Sequence, residues 1–132
     1  MVYCSRATVP TSSLLLISDI LATSQRNNDR DGLTGALAIS DGWYLQVIEG
    51  GGSALDRLMT RLAKDPRHTD IEVLERRPVG GRLFSSWSMT SARITPEIGA
   101  GLNGLIDGCR VSPAAAVAGL LELVSSNGQL RD

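Results

Sequence analysis

The sequence lacks any strong excess of charge. Its 132 residues carry 13 Lys and Arg against 14 Asp and Glu, which gives a formal net charge of −1. A near-neutral chain has no broad electrostatic attraction for nucleic acid or anionic membranes, so neither partner is expected. No apolar run approaches the roughly 20 residues that span a bilayer, and no signal-peptide pattern opens the chain. We therefore expect a cytoplasmic protein that does not enter a membrane.

Histidine and cysteine are also scarce. His68 is the single histidine, which excludes a metal site built from several histidines, and we expect no metal. The two cysteines, Cys4 and Cys109, lie far apart without the spacing of a metal or redox motif, which predicts free, reduced thiols. The length suits one domain with a sizeable core.

The clearest local pattern is a β-hairpin. Leu33–Ser40 and Trp43–Glu49 are apolar runs of strand length, and Asp41-Gly42 between them suits a type I′ turn. Because side chains alternate along a strand, Gln46 shares a face with Tyr44 and Ile48. An unpaired buried amide costs about 1–3 kcal/mol, so a polar group must face Gln46.

The remaining elements predict an α+β fold with the ferredoxin-like order βαββαβ, a fifth strand, and both helices on one face of an antiparallel sheet. The first helix starts at Ser12 or Ser13 and ends near Arg26, and the second begins with a capping box at Ser53–Asp56. The other predicted strands are 2–7, 71–75 and 83–89. A C-terminal helix after Ser112-Pro113 is expected on the bare face of the sheet or on another chain.

The two helices create a slot above the sheet, and several polar side chains border it. They are Tyr3, Asn27, Asn28, Gln46, Arg61 and Asp65. A flat, hydrogen-bonding ligand would give all of them partners. Plainer interpretations stay open for each: a helix C-cap at Asn28, a surface ion pair between Arg61 and Asp65, and an edge aromatic at Tyr3. Trp87 is equally explained as a packing residue and His68 as a solvated loop residue.

Five segments occur in a characteristic order and spacing. They are 3–7 (YCSRA), 26–35 (RNNDRDGLTG), 44–50 (YLQVIEG), 64–68 (KDPRH) and 84–89 (FSSWSM). Together they resemble the BLUF family, blue-light sensors that bind flavin adenine dinucleotide (FAD). The resemblance covers roughly residues 1–95, which implies a sensor domain there. Residues 96–132 would form a C-terminal helical extension of the same compact unit, as in short, stand-alone members without a cyclase or phosphodiesterase domain.

The resemblance implies non-covalent FAD between the two helices and assigns residues to two roles. The cofactor-binding residues would be Asn27, Asn28, Gln46, Arg61 and Asp65, with Asn28 at the carbonyl and N3 edge of the flavin. The photoswitch residues would be Tyr3, Gln46, Trp87 and Met89.

The resemblance also implies a mechanism without enzymatic activity. Light would drive transfer of an electron and a proton from Tyr3, and Gln46 would switch its hydrogen bonds. The last strand and the C-terminal helices would then repack and signal, through a homodimer or higher oligomer or through a downstream protein effector.

Two other functions are compatible with a small ferredoxin-like fold. An acylphosphatase-like enzyme would use Arg26 and Asn28 to bind phosphate, but no glycine-rich anion cradle follows the first strand. A light-insensitive interaction module would have lost its flavin, which the presence of both Tyr3 and Gln46 disfavours.

Overall fold

The computed structural model describes residues 1–8, 14–40, 42–84, 90–93 and 112–121, which form a five-stranded sheet with helices on both faces. The strands are β1 (Val2–Ala7), β2 (Thr34–Ser40), β3 (Trp43–Glu49), β4 (His68–Glu75) and β5 (Thr90–Arg93). The helices are α1 (Leu14–Asp31), α2 (Gly52–Lys64) and α3, described over residues 113–121.

The strand order is β4-β1-β3-β2-β5, with β5 parallel to β2 and the other pairs antiparallel. The predicted α+β, ferredoxin-like fold with a fifth strand is therefore confirmed. The predicted hairpin is also present, since Ser40 pairs with Trp43 and Gly42 has a positive φ of 87°. No helix among the described residues is long and apolar enough to cross a membrane.

Side-chain alternation along β3 divides the core in two. Tyr44 and Ile48 pack with Leu55 and Leu58 of α2, and Ile20 of α1 joins this cluster. On the opposite face, the second cluster joins β1, β2 and β3 to α3, and its members include Val2, Ala36, Leu45, Val47, Ala116 and Leu120. The described part of the C-terminal helix therefore covers the face opposite α1 and α2, as predicted.

Helix α1 is longer than predicted. It continues past Arg26 to Asp31, and Gly32 follows it in the left-handed conformation, with a φ of 71°. The Leu33 amide then donates to the Asn28 carbonyl at 2.9 Å, which is the outer hydrogen bond of a Schellman motif. The prediction that the helix ends near Arg26 is wrong, because the polar residues there leave the backbone hydrogen bonds intact, whereas the left-handed Gly32 ends them.

Two element boundaries also differ from the prediction. Helix α2 begins at Gly52 with Gly51 as N-cap and no side-chain cap bond, so the predicted capping box is absent. Strand β5 lies at Thr90–Arg93, whereas Leu83 and Phe84 form a bend. Residues 85–89, the rest of the predicted strand, lie outside the described residues.

The Glu49 carboxylate explains why the chain bends before β5. It accepts the amide hydrogens of Leu83 at 3.0 Å and Phe84 at 2.6 Å, and it also accepts from the Thr34 hydroxyl at 3.1 Å. Phe84 is fully buried in the cluster with Val47. The end of β3 therefore holds this segment by polar and apolar contacts together.

Cys4 differs from its prediction as well. It is disulfide-bonded and fully buried, so the expectation of a free thiol is wrong for this residue. Separation along the sequence does not report which side chains the fold brings together.

Gly35 is the glycine whose replacement we expect to disturb the sheet most directly. A β-carbon there would overlap the backbone carbonyl oxygen of Val47 on the neighbouring strand. Gly35→Ala should lower the free energy of unfolding by about 1–3 kcal/mol, as other overpacked sites do. Chemical denaturation measures the change. Gly80→Ala is the matched control, because a β-carbon at Gly80 meets nothing within 4 Å, and equal stability of the two variants would contradict the prediction.

Candidate functional site

A cleft lies between α1 and α2 above the sheet, and β3 runs along its floor. Side chains from α1, β1, β2, β3, α2 and the segment after α2 line it. The structure brings all six residues that the sequence placed at the slot to this one cleft. They are Tyr3, Asn27, Asn28, Gln46, Arg61 and Asp65.

Tyr3 and Gln46 form the buried polar pair at the floor of the cleft. The register of β1 against β3 sets them directly opposite each other, and the Tyr3 hydroxyl donates to Gln46 Oε1. Their exposed fractions are 3% and 5%. This bond confirms the expectation that a polar group faces Gln46. Burial raises the pKa of Tyr3 above its usual range, with a smaller contribution from Asp65, so the hydroxyl keeps its proton at neutral pH.

Asn27 and Asn28 reach the cleft from the C-terminal turns of α1, not from a loop after it. Asn28 is 1% exposed, and Asn27 is half-buried. Both side chains line the cleft with Gln46 and with Leu37, which pairs with Gln46 across β2 and β3. The added length of α1 is therefore what places these amides beside the Tyr3–Gln46 pair.

Arg61 and Asp65 lie four residues apart but do not pair with each other. Arg61 Nη1 contacts Asp31 Oδ2 of α1 at 3.1 Å, and Asp65 Oδ2 contacts Arg67 Nη2 at 2.7 Å. Hydrogen bonds from Arg30, and then from Arg61, hold the pKa of Asp31 at about 2. The surface ion pair that helical spacing suggested is wrong, because each side chain has a partner outside α2.

The cleft has further polar residues that sequence reasoning did not assign. Tyr44, Arg67 and His68 line it. Strand alternation placed Tyr44 on the face of Gln46 and was the available signal for it. Arg67 and His68 belong to a segment of the family resemblance, but no local pattern marked them as lining a site.

His68 is not a solvated loop residue. It is the first residue of β4, half-buried, with Nδ1 2.8 Å from Ser5 Oγ and Nε2 3.1 Å from the Leu62 carbonyl oxygen. Since a carbonyl only accepts, Nε2 carries the proton and Nδ1 accepts from Ser5. Burial lowers the pKa of His68, so the ring is neutral at pH 7.

Among the described residues, two buried polar side-chain atoms have no hydrogen-bond partner, and both residues line this cleft. They are the Tyr44 hydroxyl and Arg61 Nη2. Leaving such groups unpaired is unfavourable, so their presence in one cleft indicates a ligand that supplies acceptors. FAD fits this requirement, since its carbonyls, ring nitrogens, ribityl hydroxyls and phosphates all accept hydrogen bonds.

Two predicted switch residues cannot be placed in this cleft. Trp87 and Met89 lie outside the described residues. In the described part of the chain, no three His, Cys, Asp or Glu side chains are grouped as metal ligands.

Comparisons with known proteins identify the family. A family profile described as sensors of blue light using FAD, or BLUF, matches residues 1–90. Photoactivated adenylate cyclase subunit beta of Euglena gracilis is 39% identical over 93 residues, which is 70% of this chain and 11% of that protein.

Solved structures agree. BlrB, a BLUF protein in its dark state, is 30% identical with a TM-score of 0.78, and the alignment covers 96% of this chain and 93% of that one. The ground state of BlsA is 25% identical with a TM-score of 0.79, covering 92% and 84% of the two chains.

The chain spans 11% of the length of the cyclase subunit, so the cyclase activity in that name belongs to the longer protein. The profile covers more than half of the chain, including Tyr3, Gln46 and the whole cleft between α1 and α2. The chain belongs to the BLUF family of sensors of blue light using FAD.

Proposed function

We propose that this chain senses blue light through FAD bound non-covalently in the cleft between α1 and α2. The observation that carries the proposal is the buried Tyr3–Gln46 hydrogen bond at the floor of a cleft that also contains two unpaired polar atoms. The residues that would hold FAD are Asn27, Asn28, Gln46, Arg61 and Asp65.

The side chains of Asn28 and Gln46 suit one edge of the flavin ring. An amide carries both a donor and an acceptor, and the edge from the C2 carbonyl through N3–H to the C4 carbonyl alternates acceptor, donor and acceptor. Arg61 Nη2 carries only hydrogen-bond donors, so it suits an acceptor such as an oxygen or an unprotonated ring nitrogen of the ligand.

The switch rests on the chemistry of Tyr3 and Gln46. Bound FAD supplies absorption of blue light and an excited state that oxidises a nearby phenol. The hydrogen bond from Tyr3 to Gln46 Oε1 gives the phenol proton an acceptor as the ring loses an electron. Rotation or tautomerisation of the amide exchanges its donor and acceptor ends, so Gln46 then presents the opposite hydrogen-bonding pattern to the cleft.

We propose that residues 1–95 form the sensor and that residues 96–132 carry the output. Strand β3 supports this division, because Gln46 faces the cleft while its neighbours Leu45 and Val47 pack in one cluster with Ala116 and Leu120 of α3. A change at Gln46 is thus separated from α3 only by the thickness of β3. Trp87 and Met89, the other two proposed switch residues, come directly after the segment that Glu49 holds.

We propose that the output is a change in self-association, with a downstream protein effector as the alternative, and that the chain has no catalytic activity of its own. Helix α3 supports a contact, since residues 113–121 contain no charged side chain and an uncharged helix surface is typical of buried positions. Leu120 is fully buried against the sheet, so the contact would use the exposed face of Ala114 and Ala118. A cytoplasmic location stays a prediction.

The acylphosphatase-like alternative has no support in the geometry. Arg26 is exposed, whereas Asn28 is buried in the cleft, because residues two apart on a helix point in different directions. The two side chains therefore do not form a common phosphate site.

The first prediction from this function concerns the cofactor. The purified protein should be yellow, and acid or heat should release intact FAD because no covalent bond is involved. Visible absorption and chromatography of the released flavin check this. A colourless preparation that no flavin reconstitutes would contradict the proposed function.

The second prediction separates binding from switching. Gln46→Leu keeps the approximate volume but removes donor and acceptor, so FAD should still bind, with affinity reduced by up to about 10-fold, and the light-induced red shift should disappear. Tyr3→Phe should also bind FAD and lose productive photochemistry. Light-minus-dark absorption spectra measure both. A normal red shift in Gln46→Leu would show that another group is the switch.

The third prediction concerns self-association. Ala118→Arg adds a charge to the exposed face of α3 and should shift a dimer toward monomer while the flavin spectrum stays unchanged. Ala63→Arg on the exposed side of α2 is the matched control. Size-exclusion chromatography with light scattering, in darkness and in blue light, gives the masses. If the unmodified protein is monomeric in both conditions, self-association is excluded and the effector alternative remains.

A further inference from the structure

The two unpaired polar atoms belong to different parts of the cleft. Arg61 contacts Asp31, the last residue of α1, one turn beyond Asn28. Tyr44 lies near the start of β3, about 17 Å from Glu49 at roughly 3.3 Å per residue, and Glu49 pairs with Thr34 just after the end of α1. A ligand that satisfies both atoms must therefore extend along the cleft.

Among the described residues, no group hydrogen-bonds the Tyr44 hydroxyl, and Tyr44 is 5% exposed. The ring of His68 lies beside that of Tyr44, with the ring centroids 6.1 Å apart. Both His68 nitrogens are already engaged, by Ser5 and by the Leu62 carbonyl. Burial raises the pKa of Tyr44, so the hydroxyl is a neutral donor at pH 7.

The chemistry of a flavin limits which of its atoms can meet Tyr44. All nitrogen and oxygen acceptors of the isoalloxazine lie on its pyrimidine and central rings, and the dimethylbenzene ring has none. If Asn28 and Gln46 hold the pyrimidine edge, the dimethylbenzene ring is the part of the flavin ring system farthest from that edge, and it offers a hydroxyl no acceptor. The ribityl hydroxyls and the phosphates, which continue from the central ring, do carry acceptors.

We propose that the Tyr44 hydroxyl donates a hydrogen bond to the ribityl-phosphate chain of the bound flavin, an inference that rests on the proposed function of the cleft. Tyr44 is then a binding residue for the chain of the cofactor, distinct from the Tyr3–Gln46 pair at its ring. The two tyrosines face one cleft, but of the two only Tyr3 has an acceptor in the part of the chain that the structure describes.

The test compares flavins with and without the chain. Apoprotein is titrated in darkness with lumiflavin, which lacks the ribityl group, and with riboflavin, FMN and FAD, and quenching of flavin fluorescence gives each dissociation constant. Tyr44→Phe should weaken binding of riboflavin, FMN and FAD by about 3- to 10-fold, the range for one lost hydrogen bond, and leave lumiflavin unchanged. Tyr3→Phe is the matched control, and it should change the dissociation constants of lumiflavin and riboflavin by the same factor.

Each other outcome has a definite meaning. If Tyr44→Phe weakens lumiflavin binding as much as riboflavin binding, Tyr44 contacts the ring and the proposal is overturned. Unchanged binding of every flavin by Tyr44→Phe would also overturn it. Failure of the unmodified protein to bind any flavin would instead overturn the proposed function itself.

Thermal unfolding gives a second readout that does not depend on the titrations. Without flavin, Tyr44→Phe should be at least as stable as the unmodified protein, because the variant removes an unpaired buried group. With the same excess of FAD, the melting temperature of Tyr44→Phe should rise less than that of the unmodified protein, because a ligand stabilises a protein in proportion to the logarithm of its affinity. A less stable apoprotein would show that the hydroxyl has a protein partner and would overturn the proposal.

Discussion

The central constraint in this fold is that β3 is covered on both faces. It lies between β1 and β2, and every side chain from Tyr44 to Glu49 is buried. A polar side chain on such a strand must find its partner within the fold, because water does not reach it. Gln46 finds the Tyr3 hydroxyl, and Glu49 finds two backbone amides.

These two polar residues give β3 a role beyond packing. Gln46 connects the strand to β1 and to the cleft, and Glu49 connects it to Leu83 and Phe84. Phe84 in turn lies in the cluster that contains α3. A single strand therefore links the cleft on one face of the sheet, where we propose that FAD binds, to a helix on the other face, which is a short physical path for a signal.

The cleft exists because α1 and α2 both press apolar residues onto the sheet while their polar residues line the gap between them. Asp31 of α1 contacts Arg61 of α2 at 3.1 Å, and Asp19 of α1 contacts Arg67 after α2 at 3.2 Å. These ion pairs connect the two walls at separate points along α1. Tyr44 and Arg61 line this gap, and each carries a buried donor without a partner among the described residues, which suits an acceptor-rich ligand.

The sequence by itself determined the strands of the hairpin, the face on which Gln46 lies and the need for a polar partner. Alternation and turn chemistry are local properties of the chain, so they can be read without knowing the rest of the fold. Of the predicted site residues, Tyr3 and Gln46 were accessible in this way, because neighbouring strands follow from the topology. The cofactor roles came from the ordered family motifs and stay predictions.

Only the tertiary structure decided the end of α1, the partners of Arg61 and Asp65, and the burial of His68. Each of these depends on distances between elements that are remote in sequence. Helical spacing suggested that Asp65 pairs with Arg61, for example. In the structure Arg61 pairs with Asp31 of α1, and Asp65 pairs with Arg67. The Tyr44 hydroxyl, which has no partner among the described residues, belongs to the same class, since a missing partner is visible only in the tertiary structure.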